Sequence, residues 1–129
     1  MRILLDAHAL IWWLDDDPRL STPARRAIEK AEDALVGAGS LVEIAIKQSL
    51  GKLDTNASWF DEAQANDIAL LAVSWSHAKG LQSLPCLRTA GREHRDPFDR
   101  LLAAQALADR IPIVTRDPAL SAYGVATIW

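Results

Sequence analysis

The sequence predicts an α/β fold in which helices cover both faces of a mainly parallel sheet. Short apolar runs that suit strands alternate with segments of helical periodicity along the 129 residues. The runs are apolar at consecutive positions rather than at every second one, which is typical of strands buried on both faces. A chain of this length can bury a core without a disulfide or a metal, so we expect residues 1–129 to form a single domain.

Five apolar runs are predicted to form the strands. They are residues 2–6, 34–38, 68–73, 111–115 and 125–128. The first run ends in an acid, Asp6, and the fourth is closely followed by another, Asp117, where we expect a turn. Residues 15–18 are predicted to form a turn, and residues 84–95 a loop.

Six helices are predicted between these strands, and several have recognisable caps. Their approximate ranges are 7–14, 22–33, 40–50, 57–65, 75–83 and 97–109. Thr22 is the expected N-cap of the second helix, with Pro23 at its first helical position. Ser40 is expected to begin the third helix, Gly51 to end it, and Ser74 to cap the fifth.

Composition narrows the classes of protein to which the chain can belong. The formal net charge is −3, from 14 Lys and Arg against 17 Asp and Glu, so the basic surface of a passive nucleic-acid binder is absent. The single cysteine, Cys86, cannot form an internal disulfide or a thiolate cluster, which predicts a reducing, cytoplasmic location. Acids interrupt the most apolar region, so we expect neither a membrane span nor a signal peptide.

Four acids are predicted to meet at one edge of the sheet. In right-handed βαβ units, every strand ends and the next helix begins at the carboxyl edge. Asp6 ends the first strand, Glu43 and Asp99 lie in the first turns of helices, and Asp117 follows the fourth strand. Asp6 lies within an apolar segment, where an ionised carboxylate is costly without a partner.

Each acid also has a purely structural explanation. Ser40 and Glu43 have the spacing of a capping box, and an acid in a first turn suits the helix dipole. Asp96 precedes Pro97 and is expected mainly to cap its helix, although it is the second candidate for a ligand of the site. Asp117 is also compatible with a simple turn.

The cluster of acids predicts a site for a divalent metal ion. Carboxylates gathered at one edge raise one another's pKa unless a multivalent cation neutralises them. Oxygen ligands without cysteine favour Mg²⁺ or Mn²⁺ over zinc. Such a site suits metal-assisted hydrolysis of phosphodiester bonds, and the sequence offers no P-loop, dinucleotide fingerprint or Ser-His-Asp relay as an alternative.

Four segments, in their order and spacing, resemble a known family. They are LLDAHALIWWL at 4–14, SLVEIAIKQSLGKL at 40–53, HRDPFDRLLAAQA at 94–106 and IPIVTRD at 111–117. By these motifs the chain resembles the PIN-domain ribonucleases, specifically the VapC-like toxins of bacterial type II toxin–antitoxin pairs. One departure is Val42, because the subgroup usually has Trp before the glutamate. That difference affects packing more than chemistry.

The resemblance implies a three-layer α/β/α sandwich and an Mg²⁺- or Mn²⁺-dependent endoribonuclease. By motif, the catalytic and metal-binding acids are Asp6, Glu43, Asp99 and Asp117. RNA is the implied substrate, and a cognate antitoxin is the implied inhibitor. The implied assemblies are a homodimer and a hetero-oligomer with the antitoxin. Any contact with DNA is expected only indirectly, through the antitoxin, and none with a membrane.

Three basic residues near the acids are candidates for substrate binding. Lys47 lies four residues after Glu43, the favourable order for an ion pair on a helix, and a phosphate contact is the alternative. Arg100 and Arg116 each adjoin an acid and are equally compatible with solvated surface. We interpret the histidines as lying outside any metal site. His8 is expected mainly to pack at the start of its helix, with a substrate contact as the alternative, and the tryptophans are expected mainly to be core or partner contacts.

Two other functions are compatible with parts of the sequence. The first is a subunit that chiefly binds an antitoxin and regulates DNA, with little nuclease activity. The second is a phosphoryl-transfer receiver or phosphatase on a related scaffold. The sequence disfavours the second, because Asp6-Ala7-His8 lacks the second acid of an Asp-x-Asp loop and the run at 68–73 ends without an aspartate.

Overall fold

The centre of the fold is a parallel sheet of five strands. The computed structural model describes residues 1–53, 58–89 and 91–129. The strands of this sheet are β1 (Arg2–Leu5), β2 (Asp33–Gly37), β3 (Ala69–Leu71), β6 (Ile113–Val114) and β7 (Thr127–Ile128). Two further strands, β4 (Arg88–Thr89) and β5 (Arg92–Glu93), pair with each other in a separate antiparallel sheet. The order in the sheet is β3-β2-β1-β6-β7, with every neighbouring pair parallel. The predicted α/β class is confirmed.

Helices follow most strands and cover the sheet. In the described part of the chain they are α1 (Ala7–Leu14), α2 (Thr22–Lys30), α3 (Ala38–Ser49), α4 (Trp59–Ala65), α5 (Trp75–Ser83), α6 (Pro97–Asp109) and α7 (Pro118–Ala122). The predicted bounds of α6 are confirmed, whereas α7 lies where only a turn was predicted. The fourth helix was predicted from residue 57, which lies outside the described residues.

The two faces of the sheet pack against different helices. Ile3 and Leu5 of β1 belong to a core shared with α1, α2, α3 and α4, whereas Leu4 belongs to a second core shared with α6 and α7. All three side chains are fully buried. Successive side chains of a strand point to opposite faces, so a run apolar at every position is what two covered faces require. The predicted three-layer sandwich is confirmed.

The start of α2 differs from its prediction by one residue. Ser21, not Thr22, is the N-cap, and its hydroxyl accepts a hydrogen bond of 3.2 Å from the Ala24 backbone N–H. Ser21 has the extended backbone that an N-cap requires, which makes Thr22 the first helical residue. The helix also ends at Lys30, before the predicted residue 33, because Asp33 already belongs to β2.

The start of α3 corrects the predicted capping box at Ser40. The helix begins at Ala38 after Gly37, which puts Ser40 inside the helix and buries it. Small residues permit this early start against α6, because a Cβ on Gly37 would lie 2.6 Å from Gln105 Oε1. A Cβ on Gly39 would likewise lie 2.8 Å from a Leu101 methyl carbon. Glu43 therefore lies in the second turn and is not a capping-box partner.

Several short elements also differ from their predicted extents. The predicted loop at 84–95 contains the β4–β5 hairpin, and the fourth and fifth predicted strands shorten to two residues each. Ser74 caps α5 as predicted, and Gly51 follows the end of α3 with a positive φ of 66°. Among the described residues, no helix is long and apolar enough to cross a membrane.

Candidate active site

Five acids line one cavity at the carboxyl edge of the sheet, and four of them are the predicted site acids. Asp6 follows β1, Asp117 follows β6, Asp99 lies in the first turn of α6 and Glu43 lies on α3. All four line a cavity of about 390 Å³. The structure therefore brings together the acids that the sheet-edge argument singled out.

Asp6 is held in place by the elements that follow β1 and β6. Its carboxylate caps α1 by accepting a hydrogen bond of 2.7 Å from the Ala9 backbone N–H. Burial raises the pKa of Asp6, and the charge of Asp117 adds to the rise. A hydrogen bond with the Thr115 hydroxyl, the Ala9 N–H and the nearby His8 oppose the rise in this pKa. Asp6 is thus the desolvated acid at the centre of the edge.

Asp99 is repelled by the charges of three other acids of the cavity. The pKa of Asp99 is raised to about 6, chiefly by burial and then by the neighbouring charges of Asp96, Asp117 and Glu43, while His94 opposes the rise. A nearby cation would stabilise the ionised form of a carboxylate that is surrounded by three others. This electrostatic state matches the one that the sequence predicted for acids meeting at a sheet edge.

Two acids of the cavity also cap helices. Asp117 accepts a hydrogen bond of 2.9 Å from the Ala119 N–H at the start of α7. Asp96 accepts bonds of 2.9 Å and 3.2 Å from the Phe98 and Asp99 N–H groups at the start of α6. The predicted cap at Asp96 is confirmed, yet Asp96 also lines the cavity. Capping and a place in the site are therefore compatible in this chain.

Glu43 and Lys47 form an ion pair within the cavity wall. Lys47 Nζ lies 3.3 Å from Glu43 Oε2, and both residues line the cavity. Only 13% of the Glu43 side chain is exposed, against 42% for Lys47. The predicted i,i+4 pair is confirmed, and its ammonium group belongs to a residue in the wall of the acidic cavity.

The two predicted arginines have different surroundings. Arg116 lines the cavity, and its guanidinium carbon lies 4.6 Å from the centre of the Trp12 ring. Arg100 does not line it, because its guanidinium donates to the carbonyls of Leu84 and Pro85 and to the Tyr123 hydroxyl. These bonds occupy Arg100 in joining elements of the fold. The substrate-binding prediction for Arg100 therefore has no support in the geometry.

Sequence reasoning missed several residues around the acids. His8, Trp12 and Trp129 line the cavity, although the sequence suggested packing roles for them. Trp12 does both, because it is buried and also stacks with Arg116. His94 faces Asp99, with Nε2 3.4 Å from Asp99 Oδ2. The i,i+4 spacing of His8 and Trp12 was the available signal for the first two.

The donor set of the cavity suits a hard divalent cation. Over residues 1–53, 58–89 and 91–129, no three His, Cys, Asp or Glu side chains are close enough to form a ready-made cage. Mg²⁺ does not need one, because it keeps several waters and typically binds one or two carboxylates. The desolvation of Asp6 and the mutual repulsion around Asp99 are both relieved by a cation. The residues present therefore fit such an ion.

Known proteins resemble this chain over almost its whole length. It is 28% identical to Ribonuclease VapC22 of Mycobacterium tuberculosis, with 98% of each chain aligned. A chain of the Rickettsia felis VapBC2 complex, bound to a DNA fragment from their promoter, matches with a TM-score of 0.69 at 13% identity, covering 98% of this chain and 97% of that one. FitAcB from Neisseria gonorrhoeae matches with a TM-score of 0.64 at 20% identity, covering 98% and 96%.

The family model described as the PIN domain matches residues 3–126. The match includes Asp6, Glu43, Asp99 and Asp117, and it covers the sheet except for Arg2 of β1 and the two residues of β7. The chain therefore belongs to the PIN domain family.

Proposed function

We propose that this protein is an Mg²⁺- or Mn²⁺-dependent endoribonuclease that acts as the toxin of a toxin–antitoxin pair. The observation that carries the proposal is the cavity lined by Asp6, Glu43, Asp99 and Asp117. The ribonuclease name of the mycobacterial relative and the resemblance of the motifs to VapC-like toxins support it. Hydrolysis of a phosphodiester by water needs a cation and an oriented phosphate, and the cavity has groups for both.

The four acids are the groups that would hold the cation. A bound divalent ion supplies a nucleophilic water and charge stabilisation at the phosphoryl oxygens. Asp6 is orientated for this role by the Ala9 N–H and the Thr115 hydroxyl, and Asp117 by the Ala119 N–H. Asp96 remains the second candidate, since it lines the same cavity.

Lys47 and Arg116 are the groups proposed to bind the RNA backbone. Lys47 neutralises Glu43 in the absence of a metal, and a cation bound by Glu43 frees the ammonium group for a phosphate. Arg116 is held against Trp12, so its guanidinium loses little side-chain freedom when it contacts a phosphate. Arg100 is not among these groups, because its guanidinium is bonded to the carbonyls of Leu84 and Pro85 and to the Tyr123 hydroxyl.

The partner proposed for this toxin is a cognate antitoxin that covers the site. Val42, Val73, Pro97, Phe98 and Leu101 line an apolar groove, and Val42 and Pro97 directly adjoin Glu43 and Asp96 of the acidic cavity in the sequence. The groove suits a peptide whose apolar side chains fill it while a basic one reaches the acids. A homodimer, a hetero-oligomer with this antitoxin, indirect contact with DNA and a cytoplasmic location belong to the same proposal.

The test is RNA cleavage by the purified protein with and without metal. We expect cleavage with Mg²⁺ or Mn²⁺, none after EDTA treatment, and recovery when the metal is returned. Asp6→Asn should reduce the cleavage rate by about 100-fold or more, because a lost charge at a metal site costs several kcal/mol of transition-state stabilisation.

Asp61→Asn is the matched control, since Asp61 is an exposed acid of α4 outside the cavity. It should cleave at the wild-type rate. Cleavage that survives both EDTA and Asp6→Asn would refute the nuclease site. Absence of cleavage by the wild type, with intact binding of an antitoxin, would instead favour the binding and regulatory function.

A further inference from the structure

A chain of polar contacts leads from a structural arginine to Asp99. Arg100 Nη1 donates to the Tyr123 hydroxyl at 3.1 Å, and that hydroxyl lies 2.6 Å from His94 Nδ1. On the other side of the same ring, His94 Nε2 lies 3.4 Å from Asp99 Oδ2. Arg100, Tyr123, His94 and Asp99 therefore form a continuous series of polar contacts that ends at an acid of the cavity.

The partners of each group determine where its hydrogens lie. The Arg100 guanidinium only donates, so the Tyr123 oxygen accepts from it. His94 Nε2 approaches Asp99 Oδ2 to 3.4 Å, an electrostatic contact that a hydrogen on Nε2 favours, because a carboxylate only accepts. In the neutral ring Nδ1 is then an acceptor, and the Tyr123 hydroxyl donates to it. One tautomer, with the hydrogen on Nε2, satisfies all three contacts.

The fold holds this arrangement from several directions. Arg100 also donates to the carbonyls of Leu84 and Pro85, and Tyr123, which ends α7, is only 6% exposed. The His94 backbone N–H donates to the Leu87 carbonyl at 2.7 Å. Such a ring has little freedom to turn, so it presents Nε2 to Asp99 in a fixed place.

We propose that His94 is a positioning residue that orients the Asp99 carboxylate. Its Nε2 faces Oδ2 at 3.4 Å and would leave Oδ1 for a cation in the cavity, while the Tyr123 hydroxyl, held by Arg100, engages Nδ1 on the other side of the ring. This inference rests on the proposed metal-dependent function. Carboxylates that bind metals are commonly held by such outer contacts, and their loss weakens metal binding or activity.

Two substitutions of His94 distinguish the roles of its two ring nitrogens. His94→Gln places an amide donor near the position of Nε2, whereas His94→Asn keeps an acceptor for Tyr123 but has no donor near Asp99. Tyr123→Phe keeps the ring of His94 and removes the hydroxyl that fixes its tautomer. Titration with Mn²⁺ alone, followed by calorimetry, measures the effect without any RNA.

We expect His94→Asn to weaken Mn²⁺ binding by about 10- to 100-fold and Tyr123→Phe by a smaller factor. His94→Gln should stay within about threefold of the wild type, since it restores the donor. At saturating Mn²⁺ the KM for RNA should be unchanged in all three variants. Equal losses in His94→Gln and His94→Asn, or wild-type affinity in His94→Asn, would overturn the proposal.

A nitrogen-detected NMR spectrum of the histidine rings tests the tautomer in the unmodified protein. We expect Nε2 to carry a hydrogen and Nδ1 to carry none. The opposite tautomer would overturn the proposal. A wild type that neither binds Mn²⁺ nor cleaves RNA would refute the proposed function as well. A wild type that does both, with His94→Asn unaffected, would refute only the role of His94.

Discussion

The two edges of the central sheet carry the same kind of side chain in opposite circumstances. At the amino edge, Glu32 lies 3.7 Å from the terminal ammonium group and Asp33 lies 3.9 Å from the Arg2 side chain, all of them well exposed. At the carboxyl edge, Asp6 and Asp99 are partly buried and face other acids. Exposed acids with cations near them need no further explanation, whereas buried acids that repel one another lower stability.

This contrast separates exposed acids paired with cations from the partly buried acids that are proposed to hold a metal ion. Counting charges along the sequence treats both edges alike, because each carries aspartate and glutamate. Desolvation and the sign of the neighbouring charge distinguish them, and both follow from the position of each residue relative to the strands. Substitutions at the two edges are therefore expected to have different effects on activity, metal binding and stability.

The largest difference is expected in RNA cleavage. Asp99→Asn should lower kcat/KM by about 1,000-fold, equivalent to about 4 kcal/mol of transition-state stabilisation, because it removes a proposed ligand and its charge. Asp33→Asn at the amino edge should change it by less than about twofold, since Asp33 is remote from the cavity. Similar losses in both variants, measured on the same RNA, would contradict the assignment of function to the carboxyl edge.

The next difference is expected in stabilisation by metal. Mn²⁺ at about 100 times its Kd should raise the free energy of unfolding of the wild type by about 2.7 kcal/mol, because the ion binds only the folded state. Asp6→Asn should lose most of this gain, and Asp33→Asn should retain it. Thermal melts with Mn²⁺ and with EDTA measure the stabilisation by metal in each variant. A gain that persists in Asp6→Asn would place the ion elsewhere.

Much of this contrast could be predicted from the sequence. The bounds of α6 and the convergence of Asp6, Asp99 and Asp117 follow from local caps, apolar periodicity and the rule for parallel sheets. These signals are local or topological, so they do not depend on which side chains meet across the fold. The family motifs then gave each acid its expected role.

The remaining features depend on contacts between distant residues. The five-residue helix α7 was not predicted, because it has too few residues to show a helical period. Its position depends on the burial of Leu120 and of Tyr123, its C-cap, in the core. The positions of Arg100 and His94 depend on Tyr123, which is more than 20 residues away from each along the chain. A local pattern cannot reveal such partners, which is why Arg100 was assigned to the substrate and His94 was not assigned to Asp99.

A smaller difference is expected in the pH dependence of stability without metal. Because the pKa of Asp99 is raised to about 6 from 3.8, the folded state keeps a proton that the unfolded chain has already lost. Stability should therefore fall as the pH rises from about 4 to about 6, and remain lower above that range. In EDTA, Asp99→Asn should be more stable than the wild type by about 1–3 kcal/mol at pH 7.

That advantage of Asp99→Asn should disappear below about pH 4, where Asp99 is protonated in both states. Denaturant unfolding at several pH values measures the difference between the two proteins. An advantage that is independent of pH would show that burial and repulsion of the Asp99 charge are not its cause. Asp33→Asn, with its exposed acid, should show no such gain at pH 7.

The smallest effect is expected at the amino edge itself. The Arg2 and Asp33 side chains are 3.9 Å apart and about half exposed, so solvent screens their attraction. Arg2→Gln should lower the free energy of unfolding by less than about 0.5 kcal/mol, and added salt should remove even this difference. A loss above about 1 kcal/mol in urea unfolding would mean that acids at this edge also depend strongly on a cation. The contrast between the edges would then rest on RNA cleavage and metal binding rather than on electrostatic stability.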